Sequence, residues 1–186
     1  MPSALDTPQG AAELAESLLP QLGNRWLHTQ AVAAQAREAS AAVSEADRDL
    51  LVAAAWLHDI GYAPELRETG FHPLDGARHL EALGAPARLV RLVAHHSGAV
   101  YEAEQRGLSA ELAVYEREDS PVLDALIFAD MTTGPAGQSF PFDTRIDEIL
   151  VRYEPGSEVH NAISKARPYL QAAVERTLDR MAAQPM

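Results

Sequence analysis

The sequence contains no cysteine, which excludes a disulfide framework and any thiolate metal site. Cationic residues are also scarce, since 15 Lys and Arg stand against 27 Asp and Glu, for a formal net charge of −12. Such a charge opposes duplex nucleic acid or an anionic membrane surface as the main partner. The best apolar run, 50–57, is far too short to span a bilayer. The N-terminus lacks the basic and apolar regions of a signal peptide, so we expect a cytoplasmic protein.

What the sequence has in quantity is apolar and helix-forming residues. Hydrophobic residues make up 47% of the 186 positions, which predicts one folded domain, 1–186, with a substantial core. Alanine is abundant, and no stretch alternates as a strand does, so the pattern predicts an all-α fold. The predicted helices span 10–19, 25–41, 45–59, 73–83, 86–96, 121–131, 143–153 and 158–181.

Polar and proline residues mark the ends of several of these helices. Ser120 is predicted to cap the helix that begins at Pro121. Pro168 predicts a break or kink inside the last helix. Two stretches are predicted not to be helical: 132–142, a loop by composition, and 99–119, which is rich in acidic residues. The acidic stretch is either a solvated face or an acidic lid near a pocket.

Imidazole and carboxylate side chains fall on helix faces that the apolar pattern turns toward the core. His58, for example, continues the apolar stripe of Leu51, Ala54 and Ala55. An ionised carboxylate is costly to bury without a partner. A shared divalent metal would explain such a set economically, and separate buried His–Asp hydrogen bonds are the alternative. The inward-facing residues are His28, His58, Asp59, His95 and Asp130.

Five segments resemble, in order and approximate spacing, the HD-domain superfamily of metal-dependent phosphohydrolases: WLHTQ, AAWLHDIGY, FHPLDGA, AHHSG and FADMT. The resemblance spans about 25–135. It implies an all-α bundle of roughly seven to nine helices around a buried metal site, with the helices of 143–181 packed on this core. It further implies metal ligands at His28, His58, Asp59 and Asp130.

The two-metal, HDIG-type members of this superfamily have two further histidine ligands, and His72 and His95 match their places. Asp59 would then bridge the ions and activate water. His95 is preferred to His96 because HHSG resembles an H-x-x-G arrangement found in two-metal relatives, and His96 stays as the alternative ligand or as a neighbour of the centre. The resemblance implies two divalent transition-metal ions. Fe or Mn is favoured, and Zn, Co, Ni or Mg are the alternatives.

The resemblance implies hydrolysis of a phosphate ester or anhydride of a small metabolite or nucleotide, by water that the metal has activated. Arg25, Tyr62 and Thr132 are the candidate substrate-binding residues, and Arg145 is expected to be an ordinary surface residue or cap. Two alternatives remain. One is an HD-fold diiron oxygenase that uses the same ligands to oxidise a polyol or organophosphonate. The other is a non-catalytic, ligand-sensing HD domain.

Overall fold

The computed structural model describes residues 4–183, which form α-helices joined by loops and 3-10 turns. Within this range there is no named strand, only an isolated antiparallel bridge between Thr133 and Ser139. The predicted all-α fold is therefore confirmed. The helices are α1 (Pro8–Leu18), α2 (Asn24–Glu38), α3 (Arg48–Leu57), α4 (His72–Ala82), α5 (Ala87–His95), α6 (Ala99–Arg106), α7 (Ser109–Leu112), α8 (Pro121–Met131), α9 (Phe142–Arg152) and α10 (Glu158–Ala182).

Side-chain caps begin three of these helices. The hydroxyl of Thr7 accepts from Gly10 N at the start of α1, and Ser157 caps α10 in the same way. Ser120 Oγ accepts from Leu123 N at 3.2 Å, with Pro121 next to it in the first turn. Each cap satisfies a backbone N–H that the helix itself leaves without a partner. The predicted cap at Ser120 is confirmed.

Helix α10 runs without interruption through Pro168, so the predicted break is wrong. Proline removes one backbone hydrogen bond from a helix interior. The loss is tolerated here because α10 packs against α6 and α8, and its buried residues, among them Ala166 and Leu170, lie on both sides of the proline. Tertiary packing therefore holds the helix where local preference would end it.

The acidic stretch 99–119 is also more helical than predicted, since it contains α6 and α7. In α6, Arg106 Nε donates to Glu102 Oε1 at 2.8 Å, one turn earlier. Gly107, at φ 70°, ends the helix in the left-handed conformation that glycine adopts readily. The acidic residues thus lie partly on a helix whose apolar side, Ala99 and Ala103, is buried.

The helices α2, α3 and α8 pack against one another in the interior. Helix α3 is apolar on nearly every side, and six of its ten residues are buried. Helix α8 is buried from Val122 to Met131. A polar side chain placed on the inner faces of these three helices is therefore cut off from solvent. Among the described residues, no helix combines the length and the apolar character that a membrane crossing needs.

Candidate metal centre

Two groups of histidine and aspartate side chains meet where α2, α3 and α8 approach α4 and the end of α5. The first group is His28, His58 and Asp130, and the second is Asp59, His72 and His96. In each group, one ligand atom from every member lies within 4.8 Å of the others. Five of the six predicted ligands are thus brought together, and His96 takes the sixth place.

The local backbone explains how these residues meet. His58 caps the C-terminal end of α3, and Asp59 begins the 3-10 turn Ile60–Tyr62. Gly61 in this turn lies against the start of α4: a Cβ at this position would come within 2.0 Å of the carbonyl oxygen of His72. Only glycine lets the turn after His58-Asp59 approach His72 so closely.

Three of the four imidazoles are held in the same way. In each, Nδ1 lies within hydrogen-bond distance of a backbone carbonyl oxygen and donates to it, which leaves Nε2 to face the other members of the centre. This arrangement is typical of histidines that ligate a metal through Nε2. The three pairs are His28 with Gly134 O at 2.8 Å, His58 with Ala55 O at 2.7 Å and His96 with Val93 O at 2.7 Å.

A buried nitrogen at the centre has no hydrogen-bond partner. His58 Nε2 is shielded from solvent, and no atom of residues 4–183 forms a well-aligned hydrogen bond with it. Carboxylate oxygens of Asp59 and Asp130 lie 3.4 and 3.8 Å away. Ligand atoms that each lie about 2.1 Å from one shared ion are separated by similar distances. The residues present therefore fit a divalent metal.

Asp59 lies between the two groups and turns one oxygen toward each. Its Oδ2 is 3.4 Å from His58 Nε2 and 3.8 Å from His28 Nε2. Its Oδ1 is 3.4 Å from His72 Nε2 and 3.8 Å from His96 Nε2. One carboxylate thus contacts both groups.

The charges of the centre depend strongly on one another. Burial by itself raises the pKa of Asp59, but His58 and Arg25 outweigh it and hold the pKa well below its usual range. Burial lowers the pKa of His58, but the two carboxylates outweigh that and raise it to about 9. Burial, assisted by the charges of His72 and His58, lowers the pKa of His96 to about 3. Burial also raises the pKa of Asp130, but the hydrogen bond from His28 and the charge of His58 outweigh it and hold the pKa well below its usual range. In the metal-free protein the two carboxylates thus favour the ionised form, and His58 favours the protonated form.

Two of the predicted substrate-binding residues lie beside this centre. Arg25 Nη1 donates to Asp59 Oδ2 at 2.8 Å, and the guanidinium lies 3.8 Å from the centroid of the Tyr62 ring. Tyr62 in turn stacks on the imidazole of His72, with 4.0 Å between ring centroids. The three side chains form a continuous stack along one side of the second group.

The choice of His95 as a ligand is not supported. Its Nε2 lies 2.5 Å from the carbonyl oxygen of Tyr115, and it belongs to neither group within the described part of the chain. Helix α5 ends at His95, and the backbone then passes through an extended conformation at His96 and left-handed conformations at Ser97 and Gly98. This change of direction, and not the helix face, carries His96 into the centre.

Thr132, the third predicted substrate-binding residue, forms hydrogen bonds to α8 and α2. Its hydroxyl donates to Phe128 O at 2.7 Å and accepts from Gln35 at 3.2 Å. It does not line the cavity beside the candidate metal ligands. The hydroxyl therefore stabilises the C-terminal end of α8, and the geometry does not support its role in substrate binding.

The central cavity, as we call the space beside the two groups, has a volume of about 90 Å³. It is lined by five of the candidate ligands, by Arg25 and Tyr62, and by side chains of α9 and α10. Arg145 and Arg152 of α9 are among them. The expectation that Arg145 lies at the surface is wrong, since the residue is 5% exposed.

Comparisons with known proteins and with family models identify the family of this chain. No curated protein and no solved structure gives a significant match. The family model described as HD domain matches residues 25–131, which is more than half of the chain and includes every candidate metal ligand. The chain therefore belongs to the HD domain family.

Proposed function

We propose that this protein is a metal-dependent phosphohydrolase that uses two divalent transition-metal ions to cleave a phosphate ester or anhydride of a small metabolite or nucleotide. Proteins of the HD family are typically metal-dependent phosphohydrolases. The observation that carries the two-ion proposal is the position of Asp59, which offers one oxygen to each of two groups of buried ligands.

The donor set defines what each ion would bind. His28, His58 and Asp130 would hold the first ion, His72 and His96 the second, and Asp59 both. Imidazole and carboxylate ligands without thiolate suit Fe or Mn, with Zn, Co, Ni and Mg as alternatives. When bound, such ions would lower the pKa of a coordinated water and stabilise the negative charge that develops on phosphoryl oxygens.

The chain's own side chains would bind and orient the substrate. Arg25 lines the cavity beside Asp59 and offers guanidinium N–H donors to a phosphoryl oxygen. Tyr62, packed between Arg25 and His72, fixes the direction of both. Ser97 Oγ donates to Asp130 Oδ2 at 2.5 Å and so fixes the direction of that carboxylate.

The size of the central cavity supports a small substrate group. Its volume of about 90 Å³ is well below the roughly 300–1,000 Å³ of sites that enclose drug-sized ligands. The phosphate-bearing end of a metabolite fits such a space. A nucleotide would have to leave its base and sugar outside.

The test combines metal analysis with a screen for phosphate release. Protein prepared without chelators is expected to contain close to two equivalents of transition metal, and Mn- or Fe-loaded protein to release phosphate from at least one phosphorylated metabolite. Substrate-dependent uptake of O₂ without phosphate release would contradict the hydrolase proposal and support the diiron oxygenase. Tight binding of a metabolite without turnover would contradict the hydrolase proposal and support the ligand-sensing domain. Absence of metal, with no thermal stabilisation by added Mn or Fe, would contradict the metal centre itself.

A further inference from the structure

Helix α9, which lies outside the residues that the family model matches, lines the central cavity. Three residues of α9 line the cavity: Arg145, Ile149 and Arg152. Their spacing of four and three residues places them on one helix face. Two guanidinium groups are thus directed to the same space as the candidate metal ligands.

Arg145 carries a buried donor without an acceptor. The residue is 5% exposed, and its Nη1 donates to Glu148 Oε2 at 2.5 Å. Its Nε is shielded from solvent and meets no hydrogen-bond partner among residues 4–183. Buried polar groups are nearly always hydrogen-bonded, so the Nε–H of Arg145 is a donor that the described residues leave unused.

Arg152 lies at the edge of the same cavity. Its side chain is 38% exposed, and its Nε lies 3.2 Å from Glu148 Oε1. It also lines a neighbouring depression together with Arg25 and Tyr62. Arg152 is therefore accessible from solvent and from the cavity.

The charges around α9 leave a surplus of positive charge at this side of the cavity. Glu148 is the only carboxylate that an ion pair joins to Arg145 or Arg152 within the described residues. Glu102 also lines the cavity, but it is paired with Arg106 of its own helix. Arg25, the third arginine of the cavity, is already paired with Asp59. In a protein of net charge −12, such a surplus marks a place for an anion.

We propose that Arg145 and Arg152 form an oxyanion subsite that binds a second anionic group of the substrate, a phosphate or a carboxylate that is not cleaved. The planar guanidinium fork suits both groups, because each presents two oxygens to parallel N–H donors. The subsite rests on the proposed function and extends it. The candidate metal ligands and Arg25 would bind the group that reacts, and α9 would favour substrates that carry a second anionic group.

The alternative explanation is that the two arginines only brace α9 through Glu148. Three phosphonates, which a phosphohydrolase does not cleave at the C–P bond, separate the two explanations. Propylphosphonate has one anionic group, 3-phosphonopropionate adds a carboxylate, and propane-1,3-diylbisphosphonate adds a second phosphonate. Isothermal titration of each into Mn-loaded full-length protein measures how much the second anion contributes.

In the wild-type protein we expect at least one of the two bifunctional compounds to bind about tenfold more tightly than propylphosphonate. Arg145→Gln and Arg152→Gln should each reduce that advantage to less than about twofold. Arg91→Gln is the matched control, because Arg91 also has a buried Nε without a partner but does not line the cavity. The identity of the preferred compound tells whether the second group is a phosphate or a carboxylate.

Glu148→Gln separates the two explanations when it is compared with Arg145→Gln. If the arginines bind substrate, removal of the competing carboxylate should keep or increase the advantage of the bifunctional compounds. If the arginines only brace α9, Glu148→Gln should lower the melting temperature as much as Arg145→Gln does, and neither variant should change the advantage. That second result, or no advantage in the wild-type protein, would overturn the subsite.

A further titration separates the subsite from the proposed reaction. Inorganic phosphate, titrated into chelator-treated protein, tests the α9 side chains even if the protein takes up no metal and cleaves no substrate. Binding that weakens about tenfold in Arg145→Gln or Arg152→Gln, and not in Arg91→Gln, supports the subsite. Binding that all of these variants retain would contradict it.

Discussion

The two ligand groups of the candidate centre differ in how the fold holds them. His28, His58 and Asp130 lie on or directly after α2, α3 and α8, which pack against one another, and all three are almost completely buried. In the second group, His72 is the first residue of α4, with a side chain 15% exposed, and His96 lies in the turn after α5. The first group is therefore enclosed by packed helices, whereas the second includes one partly exposed ligand, His72. We expect an ion at the first group to bind more tightly and exchange more slowly.

The largest effect should come from Asp59, which serves both groups. Asp59→Ala removes the carboxylate that faces all four histidines and leaves Arg25 without its partner. We expect loss of both ions and a fall in turnover of at least about 10³-fold. Metal analysis by mass spectrometry and phosphate-release assays measure the two losses. Asp119→Ala, at a side chain 82% exposed, should keep the metal, and a metal-replete Asp59→Ala protein would place the centre elsewhere.

His96→Ala should remove only the second ion, and so tests the comparison directly. We expect about one equivalent of metal to remain and turnover to fall by roughly 10²-fold. His95→Ala is the matched neighbour: it should keep both ions and lose about 1–3 kcal/mol of stability, because a buried acceptor, Tyr115 O, loses its donor. Metal stoichiometry and thermal melts of His96→Ala and His95→Ala show which of the two histidines binds the second ion. The opposite pattern, with metal lost in His95→Ala, would restore the choice made from the sequence.

His95 and His96 show how far the sequence could predict the candidate metal centre. The sequence predicts His28, His58 and Asp130 because each continues the apolar face of a helix, and helix periodicity is a reliable guide inside a helix. His96 lies just past the end of α5, where the backbone turns through a positive φ at Ser97 and periodicity no longer applies. The sequence predicts a surface position for Arg145 because charged residues rarely lie inside a protein. Only the packing of α9 against the cavity shows why this one does.

Metal binding should depend on pH through His58. Its pKa in the metal-free protein is raised from 6.5 to about 9 by Asp59 and Asp130, so an ion must displace a proton below pH 9. We expect the apparent affinity to increase about tenfold per pH unit between pH 7 and 9 and then to level off. Titrations of Mn into chelator-treated protein at fixed ionic strength measure the slope. An affinity that is constant over this range would mean that His58 carries no proton for the ion to displace.

The same shift predicts opposite trends in stability for the two forms. A raised pKa stabilises the metal-free fold below pH 6.5, and this contribution is lost as the pH rises through about 9. The metal-loaded protein gains affinity over the same interval. The gap between the melting temperatures of the loaded and metal-free proteins should therefore widen from pH 6.5 to 9. His95→Ala, which leaves both groups intact, should show the same widening.

The smallest effect should come from Ser97, which connects the two groups. The residue follows His96, yet its Oγ donates to Asp130 of the first group at 2.5 Å, and its φ of 48° is unfavourable for any side chain. Ser97→Ala should weaken metal binding by about tenfold, because Asp130 loses a partner that fixes its direction. Ser97→Gly should weaken binding equally but be more stable than Ser97→Ala by about 1 kcal/mol, because glycine adopts the positive φ without strain. If both variants bind the first ion as tightly as the wild-type protein, His28 alone orients Asp130. The first group would then be independent of the turn that carries His96.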